Sequence, residues 1–185
     1  MEKKMGRKTP LRIAITGPES TGKSALAQQL AACFNESWVP EYSREYLQLT
    51  GGKYTFKDIL AIAKGQYNSE RRYLKTAGNI VFCDTDFLVT FIWEKVRYNK
   101  THKWIDDKIS LKGYDYTLLC DIDLPWEFDP LRENPYDRDM LLKLFLDELN
   151  LRKINYSIIT GFGEKRLQNA IDALNKSGVL NILKE

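Results

Sequence analysis

The stretch "ITGPESTGKSALAQQL", residues 15–30, constrains this chain more than any other part of it. An apolar β-forming run enters it and a helical pattern leaves it. Between them Gly17, Gly22, Lys23 and Ser24 fit G-x-x-x-x-G-K-[ST]. Glycines let such a loop wrap an anion, so that successive N–H groups converge on phosphate oxygens at the positive end of the following helix. The loop is therefore expected to hold a nucleoside triphosphate. Gly17, Pro18, Glu19, Ser20, Thr21, Gly22, Lys23, Ser24 and Ala25 are the expected triphosphate-binding residues. Lys23 reaches the outer phosphates, and the Ser24 hydroxyl is placed for Mg2+, which prefers oxygen ligands.

The loop opens an alternation of short apolar runs and helical patterns. Strands are expected at 11–16, 37–40, 79–84, 116–121 and 155–160. Helices are expected at 23–34, at 43–75 with an interruption at "TGGKYT", at 86–97, 104–112, 136–152 and 163–176. Strands that are apolar on both faces and joined by helices imply a parallel sheet covered on both sides, with ligands at the carboxyl ends of the strands. The 185 residues suffice for one sizeable domain, expected over 11–185 behind a loose tail at 1–10. The net charge of +3, without a run of four basic residues, points to neither a nucleic-acid nor a membrane partner. No apolar window approaches the roughly 18 residues of a transmembrane helix, and no signal peptide is apparent, so a cytoplasmic location is expected. Cys33, Cys83 and Cys120 lack metal-type spacing and read as buried free thiols.

A triphosphate site needs a carboxylate at the end of a neighbouring strand. "IVFCDTDF" supplies Asp84 for the Mg2+ shell, and Asp86 either faces the reacting hydroxyl or the sugar, or caps the helix that follows. After the second strand, "VPEYSREY" offers Glu41, Tyr42, Arg44 and Glu45. The carboxylates there accept a proton, hold sugar hydroxyls or pair along an exposed helix face; the arginine grips a phosphate or orients a carboxylate. After the fourth strand, "DIDLPWEFDPLRENPYDR" carries Arg132 and Arg138, read either as a lid over the transferring phosphoryl group or as incidental loop cations. His102, the only histidine, permits no histidine-based triad or metal cluster and is expected at the surface.

Four motifs in order, "GPESTGKS", "PEYSREY", "DTDF" and "PWEFDPLR", spanning roughly residues 11–140, resemble the ribosylnicotinamide kinase domain of NadR-type proteins, a P-loop group related to nucleoside and nucleotide kinases. The resemblance implies an α/β P-loop NTPase three-layer sandwich, with a five-stranded parallel sheet between helices. It implies ATP and Mg2+ at Gly17 to Ser24, an acceptor nucleoside near Glu41, Tyr42, Arg44, Asp84 and Asp86, and a lid over about 124–138 carrying Arg132 and Arg138. NadR-type proteins often carry a nucleotidylyltransferase domain and some a helix-turn-helix ahead of the kinase; with the P-loop at residue 17, neither is expected here. A further departure is Pro130 after Asp129, where the family pattern has glycine.

The implied acceptor, nicotinamide riboside, contains a pyridinium cation that aromatic faces and carboxylates hold well. Tyr42, Trp126, Glu41, Asp86, Asp121, Asp123 and Asp129 are the strand-end residues of that kind, with Trp126 and Asp129 expected to touch substrate. The expected reaction moves the ATP γ-phosphoryl group to a nucleoside 5′-hydroxyl, with Glu41 or Asp86 as base and Lys23, Arg132 and Arg138 as stabilising cations. A kinase for another nucleoside, nucleotide or small metabolite, and a slow ATP-binding sensor module, are the alternatives.

Overall fold

Five short apolar runs pair side by side as parallel strands: β1 (Leu11–Thr16), β2 (Ser37–Val39), β3 (Ile80–Asp84), β4 (Tyr116–Cys120) and β5 (Tyr156–Ile159). Their spatial order is β2-β3-β1-β4-β5, so β1 is central. The computed structural model describes residues 9–111, 113–133 and 136–183. Among the described residues seven helices connect and cover the sheet: α1 (Lys23–Phe34), α2 (Tyr42–Leu49), α3 (Phe56–Thr76), α4 (Phe87–Tyr98), α5 (Lys103–Ser110), α6 (Arg138–Leu151) and α7 (Glu164–Ser177). The three-layer P-loop fold expected from the sequence is the fold observed, and the elements differ from their expected spans by no more than about two residues at most ends. A closing 3-10 helix at Val179–Leu183 was not anticipated. The expected tail lies outside the described residues except for Thr9 and Pro10.

Strand alternation explains why the runs read as apolar throughout. On one face Leu11, Ile13, Ile15, Phe82, Leu118 and Ile159 pack under α1, α7 and the 3-10 helix. On the other, Val39, Val81, Cys83 and Leu119 lie beneath α3, α4 and α6. The break at "TGGKYT" is fixed by a capping box. Thr55 caps α3 and its N–H donates to Asp58 Oδ2 at 2.7 Å, which starts a new helix rather than continuing the old one.

Two expectations need correction. Cys83 and Cys120 are buried, but Cys33 is exposed, because α1 turns Leu26, Ala27, Leu30 and Ala31 inward and leaves position 33 on its outer face. His102 is half-buried rather than a free surface residue. Its ring stacks on Phe56 at 3.9 Å and bonds Glu94, whose carboxylate also accepts the His102 N–H at 2.8 Å. Among the described residues, no helix is long and apolar enough to cross a membrane.

Candidate active site

The phosphate loop leaves β1 at Gly17, whose φ is +131°. A Cβ there would fall 2.8 Å from the carbonyl oxygen of Cys120, so β4 passes too close for any side chain. Gly22, at φ +75°, forms the N-terminus of α1, and its carbonyl accepts the first helical N–H, from Leu26, at 3.0 Å. No side chain caps α1, which leaves the first-turn N–H groups available to an anion. Lys23 Nζ folds back over the loop, donating to the carbonyls of Gly17 (3.0 Å) and Pro18 (2.7 Å). Residues 17–25 all line one cavity of about 1440 Å³. That is larger than the ~300–1,000 Å³ of a typical single-ligand pocket.

Register brings the first carboxylate to the loop: Ile15 of β1 pairs with Asp84 of β3, at the strands' common end. Thr85 then adopts φ +77°, a conformation rare for a β-branched residue, while its N–H holds the Ile15 carbonyl at 3.0 Å. This kink separates two aspartates that an unbroken strand would aim to one side. Asp84 faces the cavity, whereas Asp86 turns away to cap α4, accepting the N–H of Val89 (3.1 Å) and the Thr16 hydroxyl (2.8 Å). Of the two sequence readings for Asp86, capping is the one the geometry shows. Burial pushes the carboxyls of both up to about 6. Repulsion from Glu41 adds to the effect at Asp84, and the Ser24 hydroxyl, Lys23 and Arg44 oppose it. Among the described residues Asp84 Oδ1 is buried without a hydrogen-bond partner, beside Ser24. One carboxylate oxygen and one hydroxyl fit Mg2+, which keeps several waters and takes its other ligands from phosphates.

Glu41, immediately before α2, and Arg44, in its first turn, complete the inner wall. Glu41 accepts the Ser43 hydroxyl at 2.7 Å and lies 3.7 Å from Arg44 Nε. Arg44 Nη2 reaches Asp129 Oδ2 at 2.8 Å, so Asp129 serves Arg44 and is absent from the cavity wall. Tyr42 lines the cavity with its ring pressed on α3, where Gly65 leaves no room for a Cβ; Glu45 lies on the outer rim.

The β4–α6 segment folds back over the loop at Ser20. The Ser20 hydroxyl accepts from Glu127 N (2.9 Å) and Arg132 Nη1 (3.1 Å), and the Glu19 carboxylate accepts Glu133 N at 3.1 Å. Arg132 lines the cavity, whereas Arg138 sits behind it, donating to the carbonyls of Leu124 (2.8 Å) and Ser20 (3.3 Å). Trp126 is not on the cavity wall: both arginines lie 5.9 Å from its ring and hold it on the segment's own side. Asp121 and Asp123 are likewise off the wall, and Asp123 is paired with Arg166 at 2.6 Å.

Tyr54 and Trp93, neither singled out from the sequence, line the cavity as Tyr42 does. Their rings meet edge-on at 4.8 Å, Trp93 Nε1 donates to the Tyr54 hydroxyl at 3.0 Å, and that hydroxyl donates to Glu133 at 2.7 Å. Burial and the bond to Glu133 push the Tyr54 phenol up. The usable signal is the spacing of Val89, Trp93 and Arg97, which places them on the same face of α4 beyond the carboxylate-bearing strand end.

Comparison with known proteins bears on the fold and the family. The chain is 31% identical over 152 residues to the trifunctional NAD biosynthesis/regulator protein NadR of Salmonella typhimurium, a match covering 78% of this chain and 37% of that protein. The chain thus spans little more than a third of the length of that relative. Two solved NadR structures share the fold: a complex with NR (TM-score 0.78, 22% identity, 90% of this chain and 50% of that one) and a complex with NAD and AMP-PNP (TM-score 0.71, 24% identity, 90% and 49%). Thymidylate kinase from Ehrlichia chaffeensis follows at a TM-score of 0.65, with 15% identity over 91% of this chain and 98% of that one. The model of the AAA_28 family, described as an AAA domain, matches residues 12–166. By that match, the chain belongs to the AAA-domain family AAA_28.

Proposed function

We propose that residues 11–185 form a cytoplasmic kinase domain that transfers the γ-phosphoryl group of ATP to the 5′-hydroxyl of a nucleoside, nicotinamide riboside above others. The observation that carries this reading is the convergence of Glu41, Arg44 and Asp84 on the same cavity as the phosphate loop, with Tyr54 and Trp93 beyond them. The NR complex of a NadR protein supports the choice of acceptor. An ATP-binding sensor needs no such carboxylate pair opposite its triphosphate. The thymidylate kinase likeness favours a second reading, a kinase for another nucleoside or nucleotide.

In the proposed reaction the acceptor oxygen forms a bond to the γ-phosphorus as the bond to the β–γ bridging oxygen breaks. The hydroxyl proton passes to the Glu41 carboxylate, and ADP leaves. Lys23 and Arg132 follow the negative charge on the transferring group, and Arg44 orients Glu41. Ser24 and Asp84 would hold Mg2+, whose chemistry is to neutralise the β- and γ-phosphates. The segment around 124–138 acts as a lid that excludes water.

The test is a nucleoside screen for ADP release, with product mass confirmed. A cation over an aromatic face gains about 2 kcal/mol over a neutral ring, so kcat/KM for nicotinamide riboside should exceed that for its reduced form or for uridine by about thirtyfold. Equal values, or preference for a purine, would sink the nicotinamide assignment and leave the second reading. ADP release indifferent to every nucleoside would favour the sensor.

A further inference from the structure

Behind the phosphate loop lies a cation that the proposed reaction does not use. Arg166, in the first turn of α7, is 4% exposed and lies off the cavity wall. Its guanidinium makes four bonds to three separate segments. Nη1 donates to Asp123 Oδ1 (2.6 Å) and the Gly161 carbonyl (2.8 Å); Nη2 donates to the carbonyls of Thr21 and Asp121, each at 2.9 Å. Asp123 uses its other oxygen to accept the Gly161 N–H at 2.6 Å, which fixes the guanidinium plane from both sides. The phosphate loop, the root of the β4–α6 segment and the β5–α7 turn thus meet at one side chain.

The contact that matters most is the one to Thr21. A trans peptide unit is planar, so its N–H points opposite to its C=O. Holding the Thr21 carbonyl against Arg166 therefore sends the Gly22 N–H the other way, towards the side of the loop where Gly22 lines the cavity. The loop does not fix this orientation by itself. Gly22 carries no Cβ and already sits at φ +75°, so rotation of the Thr21–Gly22 peptide meets little steric resistance. The Thr21 side chain gives no help either, since its hydroxyl is committed to the Pro18 carbonyl at 2.7 Å. We propose that Arg166 is a positioning residue that clamps the Thr21–Gly22 peptide, so that the Gly22 N–H is aimed at the phosphates of the bound nucleotide. Only a planar fork can reach the carbonyls on either side and Asp123 together; a lysine ammonium supplies the charge without that geometry.

The inference rests on the loop being a triphosphate site, and it is independent of the acceptor. Three probes separate phosphate recognition from general damage: ATP with Mg2+, inorganic tripolyphosphate with Mg2+, and adenosine, each titrated calorimetrically into the wild-type chain, Arg166→Gln and Arg166→Lys. Losing one aimed, charge-assisted donor should weaken ATP and tripolyphosphate about thirtyfold in Arg166→Gln, with adenosine within about twofold of wild type. Arg166→Lys should recover less than half of that loss on a logarithmic scale. A folded Arg166→Gln chain that binds tripolyphosphate like wild type overturns the proposal, as does a loss shared equally by adenosine. If the glutamine variant does not fold, the lysine variant decides, and wild-type tripolyphosphate affinity in it overturns the clamp. A wild-type chain that binds neither ATP nor tripolyphosphate overturns the triphosphate reading itself, and the clamp with it.

Discussion

Asp84 is a carboxyl that the fold holds neutral more readily than water does. Its ordinary value of 3.8 rises to about 6 through burial and the nearness of Glu41. Between those values the folded chain binds a proton that the unfolded chain has released, so stability is greatest below about pH 4 and falls as pH rises towards about 6. In urea unfolding without Mg2+ or nucleotide, Asp84→Asn should match wild type near pH 4 and exceed it at pH 7.5 by about 1–3 kcal/mol. A variant less stable than wild type at pH 7.5 would contradict the burial argument. Asp86, also pushed to about 6 by burial, supplies the slope that remains in that variant. The same comparison bears on the base. Glu41→Gln should lower kcat by about 10² with ATP affinity unchanged, whereas Asp86→Asn should act mainly on stability, because the bonds Asp86 makes belong to the helix cap and to Thr16. A folded Asp86→Asn chain slower than Glu41→Gln would return the base to Asp86. The sequence offered both carboxylates, and what it left open was the turn at Thr85 that sends them apart.

The three inner strands β1, β3 and β4 were legible because burial on both faces makes a run continuously apolar, and α1 because the loop ahead of it is so specific. The pocket-facing side of α4 was not legible. Val89, Trp93 and Arg97 alternate with the buried Leu88 and Phe91 around one helix, and a wide apolar stripe looks alike whether it meets a core or a ligand. Trp126 misled for the opposite reason: an aromatic beside a carboxylate cluster looked like a ring clamp, yet Arg132 and Arg138 flank it. The expected effect of substitution therefore moves from Trp126 to α4. Trp93→Leu should erode the preference for nicotinamide riboside over neutral nucleosides by most of the roughly thirtyfold margin, while changing turnover of uridine much less. Competition assays with paired nucleosides measure this directly, and an unchanged preference would remove Trp93 from the acceptor site.

Across the whole molecule the site is assembled by strand order. Glu41, Asp84 and Arg132 are far apart in the chain, and they meet because β3 and β4 flank β1 while β2 lies outside β3. Apolar periodicity reveals five strands without ranking them; the motifs grouped the loops after β1, β2, β3 and β4, and the strand order shows how they come together. The triple hold on Ser20 and Glu19 has a kinetic side. In the proposed reaction the β4–α6 segment is the cover, and these three bonds tie it to the loop that binds ATP, so letting ADP out is expected to break them. On that reading departure of product is expected to pace the cycle, and mixing enzyme with saturating substrates should give a rapid first turnover approaching one product per active site, followed by a slower steady rate. A linear time course from the first milliseconds would show that the cover opens faster than phosphate moves. Thickening the solvent with sucrose should slow the steady phase and spare the first, since it drags on a swinging segment and not on a phosphorus–oxygen bond.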